Sequence, residues 1–172
     1  LADGGEGTVQ ALAKGLDGKL EHVKVTGPLG EKVVCEYAIV GKTNPTAIIE
    51  MAGAAGITLV PPELRNPMHT TTYGVGEVNF IIGIGGSATN DGGIGMIQAL
   101  GAEFLDKSGK QVPFGAAGVE KLSAINCENM LPELKDCNFR IACDVDNPLC
   151  GENGCSHIFG PQKGATPELV ER

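Results

Sequence analysis

Short apolar runs alternate along this chain with polar loops rich in glycine, and the spacing within each run predicts its element. Residues 8–16 (TVQALAKGL) read as a short helix ending near Gly15 or Gly18. Residues 20–25 (LEHVKV) and 32–40 (KVVCEYAIV) read as strands, joined by a hairpin turn at Gly27, Pro28, Leu29 and Gly30. Residues 46–51 form another short apolar strand that runs into the small-residue stretch AGAAG, and Pro61-Pro62 breaks what precedes it. Thr70, Thr71 and Thr72 read as the start of a helix. Residues 80–84 predict a buried strand and residues 92–100 the helix that follows it. A turn is expected at residues 106–109, and a second short buried strand at 139–143 (FRIAC). Thr166, Pro167 and Glu168 mark a helix start, with threonine as the cap and proline in the first turn.

Strands alternating with helical segments point to an α/β architecture with a mainly parallel sheet. Ligands of such sheets gather at the carboxyl ends of strands, which is where the loops after Ile84 and Cys143 fall. The 172 residues suffice for one ordinary domain or parts of two. An apolar content of 42% with 20% charged residues fits a soluble globular protein, and 26 glycines with 4% aromatics favour many functional turns over an aromatic-rich sandwich. The net charge of −8 argues against a nucleic-acid surface, so a phosphate ligand would need local help from backbone dipoles, a lysine or a divalent cation. No stretch approaches the roughly eighteen apolar residues of a membrane span. The chain starts at LADGGEG without an initiator methionine, which reads as a fragment. Six cysteines are expected as reduced thiols of a cytoplasmic protein, with a metal site at Cys150, Cys155 and His157 and a disulfide framework as the less favoured readings.

The densest chemistry lies in residues 80–93, FIIGIGGSATNDGG. Strand, glycine loop and helix in that order turn backbone N–H groups and a helix N-terminus toward a bound anion. Gly85, Gly86, Ser87, Thr89 and Asn90 are the candidates for nucleotide or phosphate contact, and Asp91 adds a carboxylate. Residues 83–88 also match the dinucleotide fingerprint, with Glu103 about twenty residues on, so a nicotinamide-dependent dehydrogenase is a competing reading. A Walker loop is excluded because no Gly-Lys-Ser/Thr follows. A bland alternative also stands, a tight turn capped by Asp91. Asp144 and Asp146 could bind Mg²⁺ or accept a proton, or could simply form a turn before Asn147-Pro148. Lys163 sits between glycines in FGPQKG, as a cation for phosphate oxygens or as a solvated surface lysine. Asp3 and Glu6 lie in DGGEGT, a further glycine and acid loop before a helix.

Six blocks, DGGEGT, VTGPLG, NPMHTTTYGVGE, GIGGSATNDGG, CDVDNPLCG and FGPQKGATPE, resemble in order the class I bacterial glycerate kinases. The resemblance covers essentially the whole chain. It implies ATP-dependent phosphorylation of D-glycerate, with 2-phosphoglycerate favoured over 3-phosphoglycerate and Mg²⁺ assisting. By the same resemblance, Asp91 and Asp144 are catalytic candidates, Asp144 and Asp146 metal ligands, Lys163 with Gly85, Gly86, Ser87, Thr89 and Asn90 the nucleotide contacts, and Asp3 and Glu6 substrate contacts. A fragment that binds a nucleotide or sugar acid without turnover is the other reading. The family implies two domains, a Rossmann- or flavodoxin-like one that includes residues 1–55 and an inserted α/β one over residues 56–172. A helix of the family is missing between Glu77 and Val78, where an omitted segment is expected. The sequence leaves open whether the chain is a homodimer.

Overall fold

The computed structural model describes residues 5–43, 45–76, 82–83, 85–136, 139, 141–142 and 145–171. Asp3, Asp144 and the expected break between residues 77 and 78 lie outside them. Helix α1 (Thr8–Gly15) precedes strands β1 (Lys19–Thr26), β2 (Lys32–Val40) and β3 (Thr46–Glu50). Helices α2 (Met51–Ala55) and α3 (Tyr73–Gly76) lead to strand β4 (Ile82–Gly83) and helix α4 (Ile94–Ala99). Strand β5 (Glu103–Leu105), helix α5 (Ala116–Val119), strand β6 (Ala124–Asn126) and strand β7 (Ile141–Ala142) follow, then helices α6 (Cys155–Phe159) and α7 (Pro167–Val170).

Among the described residues, the main sheet runs β1-β2-β3-β4-β7, and β5 pairs with β6 in a second, small sheet. The main sheet is mixed rather than mainly parallel. β1, β2 and β3 are antiparallel neighbours, and only β3-β4 and β4-β7 are parallel. The connections dictate this, because the short links at residues 27–31 and 41–45 can only reverse the chain, whereas a parallel pair needs a long crossover. The sheet spans the expected division at residue 55, with β1 to β3 before it and β4 and β7 after it.

Strict alternation along β2 sends its side chains to two cores. Cys35, with Val25, Ile49, Ala54, Ala55 and Val75, is buried on one face under α2 and α3. Ala38 and Val40, with Val9, Ala13 and Ile48, are buried on the other under α1. A separate cluster of Ile94, Ala102, Phe104 and Val112 joins α4 to the small sheet. The predicted helix at 92–100 is shortened to α4 because Gly92 and Gly93 take positive φ angles of 62° and 77°. The expected buried strand at 139–143 is a correction. β7 is an edge strand, and Ile141 is 60% exposed. The hairpin turn, the turn at residues 106–109 and the start of α7 are as expected, with the Leu169 amide donating to Thr166 Oγ1 at 3.4 Å.

Candidate functional site

Parallel pairing sets the site. Glu50 stands opposite Gly83 and Gly83 opposite Ala142, so β3, β4 and β7 end side by side on one edge. The glycine loop leaves β4 there, and the loop holding Asp146 leaves β7 beside it. Such an edge is where open α/β sheets receive ligands.

The glycine loop is anchored on both flanks. The Ala88 amide donates to the Ala55 carbonyl at 2.8 Å and the Ile57 amide to the Gly86 carbonyl at 2.7 Å. From the other side, Lys163 Nζ donates to Ser87 Oγ at 3.0 Å and to the Thr89 carbonyl at 2.6 Å. Asn90 Nδ2 donates to Ser156 Oγ of α6 at 2.9 Å. The segment carrying Lys163 packs closely on Arg65, where any side chain at Gly164 (φ 92°) would strike the Arg65 carbonyl. Burial pulls the pKa of the Lys163 ammonium below its ordinary 10.5, with Cys155 and Asp91 opposing the shift. Its ammonium is shared between two oxygens of the loop, one from a side chain and one from the backbone.

Asp91 has a different setting from the expected reacting group. It is buried, and its carboxylate accepts from the Thr72 amide at 3.0 Å, the Thr72 hydroxyl at 2.9 Å and the Gly93 amide at 2.9 Å. The same Thr72 hydroxyl also receives the Met96 amide at 3.0 Å. Three protein donors use most of the acceptor capacity of one carboxylate. Asp91 therefore ties the buried segment Thr70, Thr71 and Thr72 to the start of α4, while Thr70 Oγ1 donates to the Ala88 carbonyl at 2.9 Å.

Glu6 is exposed beside the loop, its Oε2 3.3 Å from where a Cβ on Gly86 would stand, and it accepts from Thr58 Oγ1 at 3.1 Å. Glu6, Gly86, Ser87, Thr89, Asn90, Asp91 and Lys163 are thus brought together. Asp146 is exposed on the neighbouring loop, and among the described residues no cluster of three or more histidine, cysteine or acidic side chains could hold a metal. His157 is instead engaged by Glu171 at 3.0 Å, and Cys35, Cys127, Cys150 and Cys155 are free thiols. No helix is long and apolar enough to cross a membrane among the described residues.

Glu50 is the site residue that sequence reasoning missed. At the carboxyl end of β3 it is buried, and it takes the Val9 amide at 3.1 Å in the first turn of α1. Burial raises its pKa above the ordinary 4.5, while the Val9, Gly7 and Thr8 amides work the other way. The available signal was one acid closing an otherwise apolar strand, TAIIE.

The fold and this edge define an α/β protein in which a glycine loop at the carboxyl ends of parallel strands is tied to a half-buried lysine and flanked by acids. The glycerate kinase family model matches residues 1–172, and the chain belongs to that family. It is 53% identical to the glycerate kinase of Haemophilus influenzae, over 100% of this chain and 48% of that relative. It is 52% identical to the glycerate 2-kinase of Escherichia coli, over 99% of this chain and 47% of the relative. A crystal structure from Salmonella typhimurium LT2, provisionally named glycerate kinase 2, superposes with a TM-score of 0.93 at 49% identity, covering 98% of this chain and 48% of that one. The chain spans about half the length of the curated relatives it matches.

Proposed function

We propose that this chain carries the phosphoryl-transfer edge of an ATP-dependent D-glycerate kinase forming 2-phosphoglycerate. One observation carries the reading: the Lys163 ammonium is held on Ser87 and the Thr89 carbonyl, inside a glycine loop on the carboxyl edge of parallel strands. The names of the relatives, glycerate kinase and glycerate 2-kinase, support the substrate and the position phosphorylated. In the reaction, an acceptor hydroxyl oxygen bonds to the γ-phosphorus as the bond to ADP breaks, and the hydroxyl proton leaves to a base. Positioning and charge offset are the main contributions a protein makes to that step. Ser87, Thr89 and Lys163 would bind phosphate oxygens once Lys163 exchanges its loop partners for them. Asp91 holds the loop, and the exposed carboxylates of Glu6 and Asp146 are the described groups open to glycerate or to its proton. Mg²⁺, which takes one or two carboxylates beside nucleotide phosphates, would be held by Asp146 and Asp144 and would offset phosphate charge.

The two-domain arrangement belongs to the same proposal. Its support is the greater length of the relatives and the apolar residues Phe139, Ile141, Val145 and Leu149, all exposed around the β7 edge. A coupled assay for ADP release should show turnover with D-glycerate and Mg-ATP, and the product should carry phosphate on the 2-hydroxyl. Tight NADH binding without ADP release would replace this reading with a dehydrogenase. Glycerate binding without ADP release would leave a sensor or an inert part of a kinase.

A further inference from the structure

Arg65 is a cation for which the site described above has no use. It is half-buried, and its Nε donates to the Val60 carbonyl at 3.3 Å. Among the described residues no carboxylate pairs with it, and its Nη groups have no hydrogen-bond partner. With 21 acidic residues against 13 lysines and arginines, acids are in excess here, so an arginine fixed in place without one stands out. Three segments that hold the glycine loop meet at this residue. The first, residues 57–60, donates the Ile57 amide to the Gly86 carbonyl at 2.7 Å and ends at Val60, whose carbonyl tethers Arg65. The second is the Lys163 segment. A Cβ on Gly164 would stand 3.0 Å from Arg65 Cβ, while Lys163 next to it reaches Ser87 and Thr89. The third begins at Arg65 itself and, five residues on, donates Thr70 Oγ1 to the Ala88 carbonyl at 2.9 Å. Of the residues in these three segments, Lys163 and Arg65 are the lysine and the arginine.

The two cations suit different anions. Lys163 offers a compact ammonium that already sits on two loop oxygens. A guanidinium is a rigid planar fork, and its paired N–H groups match the two oxygens of a carboxylate. With Nε spent on Val60, the Nη pair is the edge left for a ligand. The same tether orients the fork before a ligand arrives, so less freedom is lost on pairing. A hydroxy acid requires such a partner. Its carboxyl group is ionised at neutral pH, and the exposed acids of this edge, Glu6 and Asp146, would repel it without a cation.

We propose that Arg65 is the carboxylate-binding residue of this site, its Nη edge taking both carboxylate oxygens of a small hydroxy acid and so selecting acids over neutral alcohols. The proposal rests on the kinase reading for the identity of the acid, D-glycerate, but its test is a binding ratio that needs no turnover. Calorimetry on the full-length protein would compare D-glycerate with its methyl ester, which keeps both hydroxyls and removes the charge. Wild type, Arg65→Gln and Arg65→Lys would be titrated, with ADP release, the KM for ATP and melting temperatures measured alongside. The wild type should prefer the acid by about ten- to hundredfold, the worth of a charged hydrogen-bonded pair. That preference should disappear in Arg65→Gln with the KM for ATP unmoved. Arg65→Lys keeps the charge without the fork and should retain only part of it. Each ratio is read within one variant, so lost stability alone does not shift it, and Arg65→Lys carries the test if Arg65→Gln melts early. No preference in the wild type, a preference that either variant keeps in full, or an effect confined to the KM for ATP would overturn the assignment even where ADP is released. A preference that depends on Arg65, without ADP release from the wild type, would uphold the assignment while removing the kinase reading.

Discussion

At the residue scale, Asp91 is decided by its surroundings rather than by its identity. A carboxylate that is 1% exposed and bound by Thr72 and Gly93 is a fastening, and charged hydrogen bonds of this kind are worth about 1.5–3 kcal/mol each. Asparagine at this position keeps one acceptor and turns an NH₂ toward amide donors. Asp91→Asn should therefore lower unfolding stability by about 2–4 kcal/mol in urea titrations, and Thr72→Val should move stability and turnover in the same direction. A variant with unchanged urea midpoint and turnover reduced by orders of magnitude would make Asp91 a reacting group after all. The sequence made Asp91 conspicuous but could not assign this role, since its partner Thr72 is 19 residues away along the chain.

Between elements, the same logic joins β3 to α1. Glu50 supplies the acceptor that the first turn of α1 lacks from its own sequence, as neither an acidic residue nor a capping side chain stands there. Its raised pKa carries a sign. The folded protein holds this proton more tightly than the unfolded chain, so the contribution to stability is complete below 4.5 and is lost as pH rises through the folded value. Denaturation followed upward from pH 4.5 should show wild-type stability falling relative to Glu50→Gln as the folded carboxyl ionises, with the two curves parallel below 4.5. Parallel curves throughout would mean that Glu50 ionises as freely folded as unfolded. Local patterns made the hairpin, α1 and the cap of α7 readable, since each rests on contacts within a few residues. They could not reveal the mixed sheet, which depends on which strands meet. Nor could they reveal Glu50, whose amide partner is 41 residues away.

Across the whole molecule, the site depends on long-range ties, of which the one through Lys163 spans the most chain. Lys163 bridges 76 residues to Ser87 and 74 to Thr89, joining the α6 to α7 segment to the loop that leaves the central sheet. The glycine motif itself was legible because phosphate-facing loops need glycine and hydroxyl residues in close order. The ammonium that organises it was legible only as a lysine between glycines, with nothing local to bring it in from the surface. Lys163→Met preserves much of the aliphatic stem while removing every donor, and arginine should not substitute, because a planar fork does not match two oxygens placed for a compact ammonium. Hydrogen exchange at residues 85–93 should accelerate about tenfold in Lys163→Met while β1 and β2 keep their protection, the free energy of one charged hydrogen bond. Turnover should fall at least as far, because the loop would lose both its geometry and its cation. Unchanged loop exchange would mean that packing of the α6 to α7 segment, rather than the ammonium, holds the loop, leaving Lys163 free to serve the ligand alone.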